Sequence, residues 1–142
     1  MKRIHKVVLV GTAAAGILLV VGISTLAYLF FSMCGNDPVA EFVSPDAGAK
    51  LVVFQRDCGA TTDFSTQASL LKPDVQPPPS SGNVFIADTD HGIAPSGPGG
   101  GPELRVRWES PKRILLQHHV KARVFKAEQH LNGIEIRYET FP

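Results

Sequence analysis

Three side chains with metal-binding chemistry fall within four residues of one another: Asp88, Asp90 and His91. Carboxylate oxygens and an imidazole nitrogen together suit zinc or another divalent cation. His118 or His119 could complete such a ligand set. Because adjacent residues of a strand point to opposite faces, only one of those two histidines could join a common site. The competing prediction, which we favour, is that Asp88 and Asp90 bond to nearby backbone in a turn.

A serine nucleophile is the other catalytic arrangement that the sequence offers. Ser65 or Ser96 would act with His91 and Asp90. Neither serine lies in a Gly-x-Ser-x-Gly elbow, and the segment around Ser96 offers little to hold a nucleophile rigid. The glycine run at residues 97–101 lacks the Gly-Lys-Ser/Thr ending of a phosphate-binding loop. We therefore expect neither an enzyme nor a cofactor, and a small metal-dependent or hydrolytic enzyme is the alternative.

The chain has two cysteines, Cys34 and Cys58. In an oxidising compartment an even pair predicts a disulfide. Two free thiols are one alternative, and lipidation of Cys34 with Cys58 free is another. No C-x-x-C motif is present, so the sequence gives little support to redox catalysis or to a cysteine zinc site.

The amino-terminal region predicts a membrane anchor. Residues 7–36 carry no charged side chain, and Lys2, Arg3 and Lys6 precede them. A helix over Val7–Phe31 would span roughly 37 Å, which exceeds the ~30 Å hydrocarbon core. By the positive-inside rule the basic end stays in the cytoplasm. We predict one single-pass unit, residues 1–33, and one extracytoplasmic domain, residues 34–142; a cleaved signal peptide and a lipoprotein signal ending at Cys34 are the alternatives.

Charge is uneven along the predicted outer domain. The whole chain has a formal charge of +1, of which Lys2, Arg3 and Lys6 supply +3, so the rest carries −2. Residues 37–102 carry −5 and residues 103–142 carry +3. These charges alternate with apolar residues, which is typical of solvated sheet faces, with a polyanion-binding patch as the alternative. We expect no nucleic acid partner, because the basic residues are not interleaved with aromatic ones.

Short runs with a period of two predict a mainly β domain. The pattern indicates six to seven strands, joined mostly by short turns into an antiparallel sandwich or partial barrel. A turn at Ser44-Pro45-Asp46, a hairpin from the two runs on either side of Cys58, and a tight turn at Asn132-Gly133 are expected. A helical turn is possible at Glu128–Leu131. The predicted strands cover residues 50–57, 64–71, 83–88, 104–109, 113–119, 120–127 and 134–139.

Two long loops interrupt this pattern. Residues 72–82 are proline-rich and predict an extended, linker-like segment without ladder donors. Residues 89–102 contain five glycines. A loop of that length is either functional or mobile, and the glycine run favours a flexible excursion.

The segment Arg56-Asp57-Cys58-Gly59-Ala60-Thr61-Thr62, together with Cys34-Gly35-Asn36 and Ser44-Pro45-Asp46, carries a resemblance. It resembles an uncharacterised bacterial family of single-pass or lipoprotein-like envelope proteins, over most of residues 34–142. The resemblance implies a bacterial envelope location and offers no activity to transfer. Arg56, Asp57, Gly59, Thr61 and Thr62 could hold a ligand through backbone donors and hydroxyls. A disulfide-anchored turn is the prediction that we favour.

These features together predict a protein of the bacterial inner membrane. Its amino terminus would be cytoplasmic, and its domain would face the periplasm or the cell exterior. The expected role is non-catalytic, in binding or in structure, toward an envelope protein or a cell-wall component. An inhibitor or immunity-type partner of another envelope protein is a further alternative.

Overall fold

The computed structural model describes residues 15–28, 34–59 and 62–142. The chain divides into two compact units, Met1–Met33 and Cys34–Pro142. In the first unit, residues 15–28 form an α-helix. No helix among the described residues is both long enough and apolar enough to cross a membrane. Much of the predicted span Val7–Phe31 (residues 7–14 and 29–31) lies outside the described residues, so the anchor stays a prediction.

The described residues of the second unit form nine strands in two sheets. The first sheet has the order β1-β2-β3-β4-β7, and the second has the order β5-β6-β9-β8. The strands are β1 (Gly35–Val43), β2 (Lys50–Asp57), β3 (Ser65–Leu71), β4 (Phe85–Asp88), β5 (Leu104–Ser110), β6 (Arg113–His119), β7 (Arg123–Ala127), β8 (His130–Leu131) and β9 (Ile134–Phe141).

The mainly β fold is confirmed, and three details of the prediction are wrong. The described residues form nine strands rather than six or seven, because β1 and β8 were not expected. The arrangement is not a simple antiparallel meander, since β6 and β9 pair in parallel. Residues 128–131 contain strand β8 rather than a helical turn. The expected β2–β3 hairpin is confirmed, and so is the turn at Asn132-Gly133, where both residues have positive φ.

The hydrophobic core lies between the two sheets. Alternate residues of β2 and β3 face it, and aliphatic side chains from β6 and β9 face it from the other side, as expected for strands of period two. Burying these groups is the main favourable term in the stability of the domain. The buried members of the core cluster are Leu51, Val53, Ala68, Leu70, Val84, Phe85, Ala87, Ile114, Leu116, Ile134 and Ile136.

The opposite face of the first sheet is also buried. Val52 and Phe54 point away from the core, and yet both are fully buried. On that face the proline-rich loop is hydrogen-bonded to the sheet: Gln67 Oε1 accepts from Gly82 N at 2.7 Å, and Asn83 N donates to Ser69 Oγ at 3.3 Å. The loop is therefore a cover for the sheet, and the prediction of a linker-like segment is wrong.

The glycine-rich loop also packs closely on the sheet. A Cβ on Gly101 would lie 2.5 Å from the Thr66 backbone nitrogen, and a Cβ on Gly97 would lie 2.7 Å from Glu103 Cα. The Thr66 hydroxyl donates to the Pro102 carbonyl at 2.6 Å, and the Gly97 amide donates to the Gly101 carbonyl at 2.7 Å. The glycines permit backbone to approach backbone, so the prediction of a flexible excursion is wrong.

The edges of the first sheet are modified in ways that limit further pairing. On β1, Pro38 lacks a donor and Val39 is an extra residue between two register positions. On β7, Phe125 is the extra residue. The indole nitrogen of Trp108 in β5 donates to the Phe42 carbonyl of β1 at 3.0 Å, which joins the edges of the two sheets. Bulges and edge prolines are common means of preventing sheets from associating edge to edge.

The packing of Gly101 predicts a large effect of one added methyl group. Gly101→Ala should lower the free energy of unfolding by about 1–3 kcal/mol, because the Thr66 backbone must move. Urea unfolding of the full chain in detergent micelles, followed by the fluorescence of Trp108, measures this; Trp108 is the single tryptophan.

Gly35→Ala is the matched control. A Cβ there would have no heavy atom within 4 Å, so its stability should equal that of the wild type or slightly exceed it. Equal stability of the two alanine variants would contradict the close packing of the glycine-rich loop.

Candidate interaction surface around Arg123

The predicted disulfide is present: the sulfur atoms of Cys34 and Cys58 are bonded. It joins the residue before β1 to the residue after β2, at the end of the hairpin where Gly35 pairs with Asp57. A sulfur in a disulfide is not available to carry a lipid, so this bond argues against the lipoprotein alternative.

The candidate ligand turn is engaged in structural contacts. Asp57 Oδ1 accepts from Gly59 N at 2.8 Å, and Thr62 donates both its amide and its hydroxyl to the Gly59 carbonyl. Gly59 has φ of 100°, which favours glycine. Thr61 lies outside the described residues. These contacts match the prediction of a disulfide-anchored turn.

Arg56 from the same segment binds the proline-rich loop. Its guanidinium donates to Asn36 Oδ1 at 2.6 Å and to the Pro79 carbonyl at 2.9 Å. The Asn36 amide in turn donates to the carbonyls of Pro78 and Ser80. Side chains of β1 and β2 thus supply donors to a loop whose carbonyls have few backbone partners.

Asp88 and Arg123 form a bidentate ion pair at one edge of the first sheet. They lie opposite each other on β4 and β7, and the guanidinium donates through Nε and Nη2 to both carboxylate oxygens, with Nε 3.0 Å from Oδ1. The Asp88 side chain is 9% exposed. Burial raises the pKa of Asp88, but hydrogen bonds from Arg123 and from the Asp90 amide outweigh it and leave that pKa below its usual value.

A left-handed turn follows Asp88. Asp90, His91 and Gly92 have φ of 51°, 57° and 86°. Such backbone costs roughly 1–2 kcal/mol for each non-glycine residue. The turn is held by Asp88 Oδ1, which accepts from Asp90 N at 2.9 Å, and by Thr89, whose hydroxyl and carbonyl accept from Gly92 N and Ala94 N. The predicted turn-capping role is confirmed for Asp88, whereas the Asp90 carboxylate pairs with Arg123 instead.

Two further ion pairs complete the Arg123 cluster, which comprises Asp63, Asp88, Asp90, His91 and Arg123. Arg123 Nη1 lies 2.9 Å from Asp90 Oδ1, and His91 Nδ1 lies 3.1 Å from Asp63 Oδ2. The pKa of Arg123 is raised, first by its hydrogen bond to Asp88 and then by the negative charges of Asp88, Asp90 and Asp63. The Arg123 guanidinium is therefore paired with two carboxylates, those of Asp88 and Asp90.

The candidate metal ligands do not come together. His118 packs its ring on Phe85, with centroids 5.5 Å apart, and His119 packs edge-on against Phe141. The two histidines thus point to opposite faces, as expected. Within residues 15–28, 34–59 and 62–142, no group of three or more His, Cys, Asp and Glu side chains is arranged to hold a metal ion. The guanidinium of Arg123 lies between Asp88 and Asp90, where the predicted site would have placed a metal.

The serines of the hydrolase alternative bond elsewhere. Ser65 Oγ donates to the Arg56 carbonyl at 3.3 Å and accepts from Gln67 Nε2 at 2.9 Å. Ser96 forms an isolated bridge with Pro102. In the described part of the chain, neither serine is hydrogen-bonded to His91, whose Nδ1 faces Asp63.

Exposed apolar side chains flank the Arg123 cluster. Phe125 is 62% exposed, and the Arg123 guanidinium carbon lies 5.2 Å from its ring centroid. Ile93, two residues after His91, is 59% exposed, and Phe64, next to Asp63, is 44% exposed. We call the cluster and these three side chains the Arg123 surface. Arginine and aromatic side chains are enriched at the energetic centres of protein interfaces.

The arginines of the other charged surface are paired with carboxylates, one of which is shared. On the outer face of the second sheet, Arg107 pairs with Glu109, Arg113 pairs with Glu135, and Arg137 pairs with Glu109. This agrees with the prediction of a solvated face and leaves little unpaired positive charge for a polyanion.

Shallow clefts lie at the opposite end of the first sheet, where β2 begins. Two of them, of about 220 and 300 Å³, share Gly48, Ala49, Asn132 and Ile134. Their linings combine turn backbone with few side chains that could perform chemistry.

Comparisons with known proteins add no relative: no family model matches the chain, and no significantly similar chain was found among curated proteins or among solved structures.

Sequence reasoning identified Asp88, Asp90 and His91 but missed Asp63, Arg123 and Phe125. Arg123 is distant in sequence from Asp88, and only the β4–β7 pairing brings them together. In the sequence, Phe125 looks like any other residue of a predicted strand, because the bulge in β7 becomes evident only from its pairing with β4. No sequence signal alone would have indicated these three residues.

Loss of Arg123 should reverse the pH dependence contributed by Asp88. In the wild type, a lowered folded pKa stabilises the fold above about pH 4, and this contribution is lost as the pH falls through the folded pKa. In Arg123→Met, a buried carboxylate without its partner should destabilise the fold by about 2 kcal/mol at pH 7. That difference should shrink toward pH 3.

The measurement is the free energy of unfolding from pH 3 to pH 7 for both chains. Arg107→Met is the control, because its pair with Glu109 is exposed, and it should change stability by less than about 1 kcal/mol at every pH. A pH-independent deficit in Arg123→Met would show that Arg123 acts through packing alone.

Proposed function

We propose that this chain is a single-pass protein of the bacterial envelope whose domain, residues 34–142, binds another envelope component outside the cytoplasm. The location rests on the apolar segment Val7–Phe31 and on the basic residues before it. The Cys34–Cys58 disulfide supports it, because disulfides persist in oxidising compartments.

The Arg123 surface is the docking site in this proposal, and the single observation that carries it is its composition. The surface combines exposed arginine, histidine and phenylalanine side chains with a left-handed turn, whose backbone conformation is energetically unfavourable for residues other than glycine. Backbone strain of this kind is found preferentially at functional sites. Exposed apolar groups rimmed by polar ones are typical of interaction surfaces.

A non-catalytic role is favoured by the way in which the polar side chains are used. Asp88 and Asp90 are paired with Arg123, and His91 is paired with Asp63. Ser65 is bonded to Arg56 and Gln67. Each of these side chains thus has a structural partner.

Thiol titration tests the proposed location. The full chain isolated from cells should contain no reactive thiol, whereas a variant that lacks residues 2–33 and so remains in the cytoplasm should contain two. Ellman titration of both proteins in denaturant gives the numbers. Two reactive thiols in the full chain would refute an oxidising location.

Site-specific cross-linking tests the docking surface. With the photo-crosslinker p-benzoylphenylalanine in place of Phe125, irradiation of cells that produce the full chain should yield a discrete adduct of higher mass. Val43, an exposed residue of β1 at the opposite end of the sheet, is the control position and should yield none. If the adduct is absent at 125, or if the same adduct forms at 43, the Arg123 surface is not the docking site.

A further inference from the structure

The Arg123 surface carries more negative than positive charge. Asp63, Asp88 and Asp90 contribute three carboxylates, and Arg123 contributes one permanent cation. His91 is exposed and contacts Asp63 through Nδ1. At neutral pH the surface therefore favours a cation from outside the domain.

Two carboxylate oxygens of this surface are available to such a cation. Asp63 engages His91 through Oδ2, and Asp90 engages Arg123 through Oδ1. The second side-chain oxygen of each, Asp63 Oδ1 and Asp90 Oδ2, has no hydrogen bond or ion pair to any described residue. Both side chains are partly exposed.

The apolar rim selects the kind of cation. Phe125 is exposed against the Arg123 guanidinium, and Ile93 and Phe64 are exposed and close in sequence to His91 and Asp63. A long basic side chain can lay its methylene stem on such groups while its head reaches the charge. Flanking apolar residues of the same segment would cover the remaining ring surface. A small inorganic cation would leave these three apolar side chains exposed to water.

From these observations we propose that the Arg123 surface binds a polypeptide segment in which an arginine or lysine is flanked by apolar side chains. The proposal rests on the proposed function and names the chemistry of its partner. An anionic lipid headgroup fits poorly, because the surplus carboxylates of the surface would repel it.

A peptide-binding measurement tests this chemistry. The probe is a fluorescein-labelled heptapeptide with a central arginine between leucines, and its counterpart carries citrulline, a neutral isostere, in place of arginine. The full chain is embedded in nanodiscs of neutral lipid, and empty nanodiscs correct for partitioning. Fluorescence anisotropy should show that the arginine peptide binds at least about tenfold more tightly than the citrulline peptide.

Two double variants assign the binding to the surface. Asp63→Asn with Asp90→Asn keeps side-chain shape and removes two charges, and it should abolish the difference between the peptides. Asp74→Asn with Glu139→Gln removes the same charge from other exposed positions and should leave the difference intact. Circular dichroism confirms that both variants remain folded.

Three results would overturn the proposal: equal binding of the two peptides, an unchanged preference in the Asp63 and Asp90 variant, or displacement of the peptide by a second copy of this chain at equal potency. The last result would assign the surface to self-association. An adduct at position 125 in cells without a preference for arginine would leave the docking surface in place and refute only the partner's chemistry.

Discussion

Strands β2 and β3 are buried on both faces, and this double burial is the constraint on which the rest of the domain depends. The second sheet covers one face, where Leu51 and Leu70 lie. The other face, with Val52 and Phe54, is also buried, and irregular backbone of residues 78–82 is hydrogen-bonded to side chains of that face. Irregular backbone over an apolar surface leaves polar groups without regular partners, and each would cost about 1–3 kcal/mol if unpaired. Asn36, Arg56, Gln67 and Ser69 supply those partners.

The same need to pair buried polar groups determines the arrangement of the Arg123 cluster. A buried carboxylate at the end of β4 requires a cation, and β7 supplies it from the opposing position. That cation also neutralises part of the left-handed turn that follows β4. The stability of the sheet edge and the shape of the exposed surface are therefore linked through one guanidinium. A change at Arg123 is therefore expected to alter folding as well as the exposed surface.

Much of the sheet pattern was predictable, because it depends on local alternation. The predicted strands at residues 50–57 and 113–119 have the same bounds as β2 and β6, and the turn predicted at Asn132-Gly133 is present. The pairing of Cys34 with Cys58 followed from their number and expected compartment. The β1 strand was missed because Asp37, Pro38 and an extra residue obscure its alternation. Periodicity cannot reveal a parallel pair such as β6 and β9, whose register depends on distant residues.

The candidate site was only half predictable for a related reason. Asp88, Asp90 and His91 are neighbours in sequence, so their types attracted attention, but what they do is decided by Arg123 and Asp63 from elsewhere in the chain. The two loops were misjudged because proline and glycine content alone does not distinguish a mobile segment from one that lies closely on a sheet. Position 101 is a glycine because Thr66 leaves no room for a Cβ atom, and not because the loop must be flexible.

The position of β9 has a consequence for how the domain is made. It lies between β6 and β8, in the interior of its sheet, although it follows every other strand in sequence. Because a polypeptide is synthesised from its amino terminus, this strand is the last to become available for pairing. The apolar sides of β2 and β6 would then stay exposed to water until synthesis was nearly complete, and closure of the domain would depend on contacts between remote parts of the chain, which form slowly. During that interval a holding chaperone would have exposed strands to protect.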